Sequence, residues 1–288
     1  MSDLDRLKNL VTQLTGGGDR IERRADLHLV AASAPTASVH SRCESTFAIV
    51  LQGAKQVWLG ERGFVAQAGD ALLFPAKLPL RSRVVQASAE QPFLAIGLTL
   101  NPEVALAMLD RCRTIPGAPI ALQPMPAQDT LIEPLIRLLQ LWHDPDDMAV
   151  LRPLIEAELA WRLASGGLGG LLREIFQADG ATPGISRVLE LLHDQPGRAL
   201  SVEELAAVAA MSVTSFHRHF RDLTGASPVQ YRKQLRLEYA RARVLLEQHD
   251  IAAISLSAGY ASPSQFSRDY RRAFGRPPSA DAGARRVA

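Results

Sequence analysis

One pattern occurs twice in the last hundred residues, and a chain that repeats it must fold it twice. The first copy, VEELAAVAAMSVTSFHRHFRDLTGASP, runs from Val202 to Pro228; the second, IAAISLSAGYASPSQFSRDYRRAFGRPP, runs from Ile251 to Pro278. Leu205, Ala206, Ala209, Phe216, Arg218, Phe220, Gly225 and Pro228 find counterparts in Ile254, Ser255, Ala258, Phe266, Arg268, Tyr270, Gly275 and Pro278. The register slips by one residue at the turn, where Ala261 is extra. Each copy reads as a helix, a tight turn and a second helix that carries an arginine, the layout of a helix-turn-helix.

Local chemistry marks the helix ends. Ser201 with Glu204 forms an S-x-x-E capping box, and Ser227, Pro228 and Gln230 repeat that logic with proline at the first helical position. Ser262 and Pro263 open the last long helix in the same way, while Gly225 and Gly275 stand where a left-handed residue closes the preceding helix. These signals predict helices near 202–210, 213–223, 228–247, 251–258 and 263–274. At about 100° per residue, Phe216 and Phe220 share one side of their helix, as do Phe266 and Tyr270 of theirs. Opposite them lie Thr214, Arg218 and Arg221 with His217 on the flank, and Ser264, Arg268, Arg271 and Arg272 with Ser267 on the flank. An aromatic face that anchors and a guanidinium-rich face that projects suit a helix entering the major groove of double-stranded DNA. There, Arg can bind guanine with two hydrogen bonds. Solvated arginines on an ordinary amphipathic helix are the bland alternative, but a structural repeat has no need of an exposed arginine at the same place in both copies.

Charge follows the same division. The chain of 288 residues carries a net charge of only +2, yet residues 181–288 hold 15 Lys and Arg against 10 Asp and Glu. The first 180 residues hold 17 against 20, so a basic module follows an acidic one. With 47% hydrophobic and 22% charged residues the composition is that of a globular protein. No apolar run approaches the roughly 20 residues of a membrane helix. A polar amino terminus without a signal-peptide layout and only two cysteines, Cys43 and Cys112, lead to the expectation of a cytoplasmic protein.

Residues 27–100 read as short strands with turns between them and no helices, which favours an antiparallel sandwich or small barrel. Thr46–Gln52 and Gln56–Gly60 flank Gly53 as an expected hairpin, and Ala71–Ala76 and Pro92–Leu100 follow as further strands. Leucines at helical spacing over Pro102–Arg113, Thr130–His143 and Met148–Ala164 predict helices. Gln177–Gly184 is the expected linker. The fold class is α+β: an antiparallel β-rich amino-terminal domain with helical connectors, then an all-α domain.

The segments LAAVAAMS, SFHRHFRDLTGASPVQYRKQLRLEYAR and ISLSAGYASPSQFSRDYRRAFG resemble the DNA-binding domain of AraC/XylS-type bacterial transcription regulators. The stretch from about Ile21 to Asp110, carried by FAIVLQGAKQVWLG, AGDALLFPAKLPLRSRV and ASAEQPFLAIGLTL, resembles the cupin-like domain of one branch of that family. The resemblance implies a cupin-like sensing domain over 1–110, a helical connector with a candidate dimerisation region and linker over 111–180, and a DNA-binding domain over 181–288. It implies that Thr214, His217 and Arg218 approach bases in one groove and Ser264, Ser267 and Arg268 in the next, joined by the helix Gln230–Glu247. Arg221 and Arg271 are expected to meet phosphates, which position without specifying sequence. The implied partners are promoter DNA, RNA polymerase if the protein is an activator, a small-molecule effector and a second copy in a homodimer.

Three departures stand out: Ser255 in place of a common alanine, Asp281 and Ala282 where Tyr-Arg often follows the final proline, and Pro263 in place of a polar residue. The alternative function is a cupin-type enzyme fused to a DNA-targeting helical domain, and a third is a helical interaction module that leaves DNA alone. Cupin metal chemistry needs converging imidazoles and a carboxylate. Here His28, His40 and His143 are scattered, and Leu80 follows Pro79 where a cupin's ligand histidine often stands, so no metal, cofactor or catalytic residue is expected. Cys43 lies near His40 and Arg42, cations that can lower a thiol's pKa, and is a candidate sensor; Trp58 and Phe74 are candidate effector contacts.

Overall fold

The computed structural model describes residues 2–16, 19–24, 26–42, 44–75, 79–113, 123–176, 181–246 and 250–284. The chain divides into two compact units, Met1–Ser186 and Arg187–Ala288.

The first unit opens with helix α1 (Asp3–Thr15), closed at its start by a capping box between Ser2 and Asp5. Strands β1 (Arg20–Arg24), β2 (Leu27–Ala32), β3 (Val39–Arg42), β4 (Thr46–Gln52), β5 (Ala54–Leu59), β6 (Arg62–Gln67), β7 (Asp70–Phe74), β8 (Pro79–Gln86) and β9 (Phe93–Thr99) follow. Then come α2 (Pro102–Arg111), the short strand β10 (Met125–Pro126), α3 (Asp129–Gln140), α4 (Pro145–Ser165) and α5 (Gly169–Phe176). One sheet has the order β1-β2-β9-β4-β7-β10 and the other β3-β8-β5-β6, and every pairing is antiparallel.

The centre of the six-stranded sheet is buried on both faces. Phe47, Ile49, Leu51, Leu73, Ile96 and Leu98 pack with helical residues such as Leu7, Leu135, Leu159 and Leu172 in one core. On the other face, Val50, Leu72 and Phe93 pack with Ala66 and Val84 of the second sheet. That is why TFAIVLQ in β4 reads as a continuous apolar run rather than an alternation, since period-2 alternation appears only where one face meets water.

The expected hairpin about Gly53 does not form. β4 pairs with β7 and β9, whereas β5 pairs with β6 and β8, so Gly53 is the corner at which the chain changes sheets. It takes φ +75°, and an added Cβ would lie 2.3 Å from the Gln86 carbonyl oxygen. The return crossing, at Gly69, is braced against it: the Ala68 N–H donates to the Gly53 carbonyl (3.2 Å) and the Gly69 N–H to that of Val50 (2.9 Å).

The expected linker is also helical in part. Ala181–Gly184 begin α6 (Ala181–Asp194), whose first amides, of Ala181 and Thr182, donate to the Glu174 carboxylate (2.6 and 3.3 Å). Residues 177–180 lie outside the described residues.

The second unit is helical: the end of α6, then α7 (Val202–Val208), α8 (Val213–Thr224), α9 (Pro228–Leu246), α10 (Ile251–Ser257), α11 (Pro263–Phe274) and α12 (Pro278–Ala284). Among the described residues no helix is long and apolar enough to cross a membrane.

Candidate nucleic-acid interface

The two copies of the repeat fold alike down to their caps. In the first, Ser201 and Glu204 satisfy one another's amides at the start of α7 (3.1 and 2.7 Å), and the Ser212 side chain accepts the Ser215 N–H at the start of α8 (3.2 Å). In the second, the Asp250 carboxylate accepts the Ala252 N–H (3.1 Å) and the Ser262 hydroxyl accepts that of Gln265 (3.5 Å). Helix α8 ends on Gly225 (φ +78°, ψ −7°) and α11 on Gly275 (φ +78°, ψ −13°), each amide donating four residues back, to Arg221 and Arg271. Ser227 and Gln230 form the expected reciprocal cap of α9 (3.1 and 3.3 Å).

Aromatic anchors fix how each second helix sits. Phe216 and Phe220 are fully buried, edge to face at 5.4 Å, and Phe220 meets Tyr231 of α9 at 5.5 Å. Tyr231 is hydrogen-bonded through its hydroxyl to His193 (3.0 Å). In the second copy Phe266 and Tyr270 are equally buried and meet at 5.5 Å, with Tyr260 5.4 Å from Phe266 and Phe274 4.7 Å from Tyr270. Burying several rings on one side of a helix of about three turns leaves its rotation little freedom.

With the rings inside, the opposite faces point out. Thr214, His217, Arg218 and Arg221 on α8 are exposed, as are Ser264, Arg268 and Arg271 on α11; Ser267 is half-buried. Arg218 lies 3.2 Å from the ring of His219, a contact the helical wheel does not foresee. The carboxylate on α11 is turned inward: Asp269 is 8% exposed and pairs with Lys233 of α9 at 2.8 Å, so the outer face of α11 stays cationic.

Sequence reasoning missed the support behind α11. Asp281 is fully buried, accepts a hydrogen bond from the Tyr270 hydroxyl (2.6 Å) and pairs with Arg276 and, at 3.5 Å, with Arg241. Burial and the Asp281 carboxylate push the Tyr270 phenol well above its ordinary pKa. The departure from the family pattern at this position is thus part of the core of the second copy. Ser255, the other departure, is also fully buried, and its hydroxyl has no partner among the described residues.

The amino-terminal candidates fall in different places. Phe74 lines a cavity of about 170 Å³ between the two sheets, with His28, Lys55, Val57, Leu72 and Phe93. Trp58 is not among the lining residues; its ring lies under Arg81 (4.6 Å) and Arg83 (5.5 Å). Cys43 lies outside the described residues. His28 is hydrogen-bonded to Thr99 (2.9 Å), and burial, helped by Arg23, holds its pKa below the ordinary imidazole value. Among the described residues no three His, Cys, Asp or Glu converge as metal ligands would.

A family model described as the AraC-type transcriptional regulator N-terminus matches residues 24–171, more than half of the chain. The chain belongs to the AraC-type transcriptional regulators. A helix-turn-helix domain model matches residues 205–282 of this regulator. The RCS-specific HTH-type transcriptional activator RclR of Escherichia coli (strain K12) is 38% identical over 96 residues, 33% of this chain and 34% of the relative. A putative AraC-like transcription regulator of Streptomyces lividans is 31% identical over 153 residues, 53% of this chain and 45% of that one. The XylDLEGF operon transcriptional activator of Pseudomonas putida is 30% identical over 155 residues, 51% of this chain and 48% of its own. The regulator thus matches between about a third and a half of the length of these relatives. Among solved structures, the DNA-binding domain of AdpA in complex with a target DNA is 29% identical, with a TM-score of 0.35 over 36% of this chain and 94% of that one. Unsaturated fatty acid bound wild-type ToxT from Vibrio cholerae strain SCE256 is 12% identical, with a TM-score of 0.44 over 91% of this chain and 96% of that one.

Proposed function

We propose that this regulator binds promoter DNA by placing α8 and α11 in successive major grooves, about 34 Å apart along the duplex. The observation that carries the reading is the duplicated outward face: Arg218 and Arg268 stand exposed at equivalent positions of two helices whose rings are equivalently buried. Arg218, His217 and Thr214 read one half-site, and Arg268, Ser264 and Ser267 the other. Arg221 and Arg271 hold phosphates. Selection of binding sites from random duplexes tests this: a bipartite site with half-sites about 10 bp apart is expected, and a single short site or no enrichment contradicts it.

Residues 181–288 are the DNA-reading part, 1–110 the sensing part, and 111–180 the connector. The cavity between the sheets takes a small, largely apolar effector, with Phe74 in its wall and Lys55 and His28 as the polar contacts. Cys43 is a second sensing candidate, and a Cys43→Ser variant with an unchanged transcriptional response removes it. The regulator works as a homodimer through α4, which buries Ile155, Leu159 and Leu163 while Val150 and Leu154 stay 68% and 65% exposed. Relatives named as activators support an activating role with RNA polymerase as a partner. The setting is cytoplasmic, and no catalysis belongs to the amino-terminal domain.

A further inference from the structure

The residue that breaks the repeat borders a cleft that the groove-reading account does not use. This cleft, about 310 Å³ in volume, lies between one face of α9 and the turn and flank of the second helix-turn-helix. Arg232, Lys233 and Arg236 come from α9, Tyr260 from the turn beside the inserted Ala261, and Gln265 and Asp269 from α11. Three cations face one carboxylate, and that carboxylate is already paired with Lys233 at 2.8 Å.

The guanidiniums are held in place by neutral groups. Arg236 donates to the carbonyl oxygens of Pro196 (3.0 Å) and Arg198 (3.1 Å), and Arg232 donates to that of Leu200. Carbonyls orient a guanidinium without cancelling its charge. Burial, and then the charge of Arg232, hold Arg236 below its ordinary pKa, as expected of two neighbouring cations short of a counter-ion.

A donor also waits there. The Tyr260 hydroxyl is buried and has no hydrogen-bond partner among the described residues, though nearly all buried polar groups find one. Burial, with the Asp269 charge, pushes its phenol up to about 12, so it keeps its proton at neutral pH. The cleft reaches the exposed side of α11 at Gln265, which follows Ser264 of the outward face. A major groove is about 12 Å wide, so a helix lying in it has a sugar-phosphate strand about 6 Å to either side. On the groove-reading account, the flank of α11 faces such a strand.

We propose that this cleft holds a phosphate, with Arg232, Lys233 and Arg236 supplying charge and the Tyr260 hydroxyl a hydrogen bond. Its source is a backbone phosphodiester beside the second half-site, an assignment that rests on the DNA-binding reading. Free phosphate offers the same chemistry, and the test separates the two.

The test uses the full chain and the variants Tyr260→Phe, Lys233→Gln and Lys233→Arg. Affinity is measured on a selected duplex and on an unrelated duplex of equal length, across a salt series. Melting temperature is followed against inorganic phosphate at fixed ionic strength. Tyr260→Phe is expected to weaken binding to both duplexes by about tenfold. Its melting temperature should hold or rise, because the hydroxyl has no partner among the described residues. Lys233→Gln should reduce the slope of log affinity against log salt by about one, and Lys233→Arg should restore it. If DNA affinities are unchanged but millimolar phosphate raises the melting temperature of wild type and not of Tyr260→Phe, the cleft takes free phosphate. Unchanged affinity and slope, with no phosphate-dependent melting shift, overturn the proposal. If wild type itself prefers no duplex, the groove-reading account fails, and the phosphate titration alone still decides the cleft.

Discussion

Single residues show how the two copies solve one turn in two ways. Ala210 takes φ +57°, the only non-glycine with positive φ among the described residues, where the second copy has Gly259 at +79°. Left-handed backbone costs alanine about 1–2 kcal/mol, partly offset by the stiffer unfolded chain. Ala210→Gly should therefore stabilise the second unit by about 0.5 kcal/mol in denaturant unfolding. Gly259→Ala should cost about 3 kcal/mol from the same strain plus overpacking. Its Cβ would lie 2.5 Å from the Gly197 carbonyl oxygen and 3.0 Å from the Arg236 guanidinium carbon. His28 carries a pH dependence. Its folded pKa is depressed by burial, so between that value and the unfolded value near 6.5 the unfolded chain binds more protons and stability rises with pH. Acidification from pH 7.5 to 5.5 should lower the melting temperature of the first unit, and His28→Gln should flatten that slope; an equal slope in the variant would contradict the assignment.

Elements differ in how much of them the sequence discloses. The five helices of the repeat, their caps and their buried rings are legible because serine, proline and glycine act locally and the aromatic spacing is helical. The β4–β5 corner is not, because glycine between two apolar runs serves a hairpin or a change of sheet equally well, and only partners distant in the chain decide which. Helix α1 had a readable signal, Ser2 with Asp5 ahead of Leu7 and Val11, which the polar look of the first ten residues obscures. The role of Asp281 is unreadable from spacing, since a lone acidic residue on a short helix usually faces solvent. In the fold it holds α12 beneath α11. Asp281→Ala removes one partner of a buried ionic cluster and should cost about 3–5 kcal/mol, read as a lower unfolding midpoint for the second unit. An unchanged midpoint would show that the cluster contributes nothing.

At the scale of the whole molecule, the account needs a sensing unit, a reading unit and a second copy. An apolar stripe on α4 formed by Val150, Leu154 and Trp161 lies on the face away from the core and has the character of a contact surface. Leu154→Asp should leave the circular dichroism spectrum unchanged and halve the mass measured by sedimentation equilibrium, whereas an unchanged mass would remove α4 from the interface. The central claim is that two equivalent helices read two grooves. Its most direct test is the affinity of wild type, Arg218→Ala and Arg268→Ala for a selected operator and for unrelated DNA at fixed salt. The account predicts that each variant loses about 1–3 kcal/mol on the operator and much less on unrelated DNA, each relaxing preference at its own half-site. Operator affinity unchanged in both variants, or lost equally on every sequence, would contradict it.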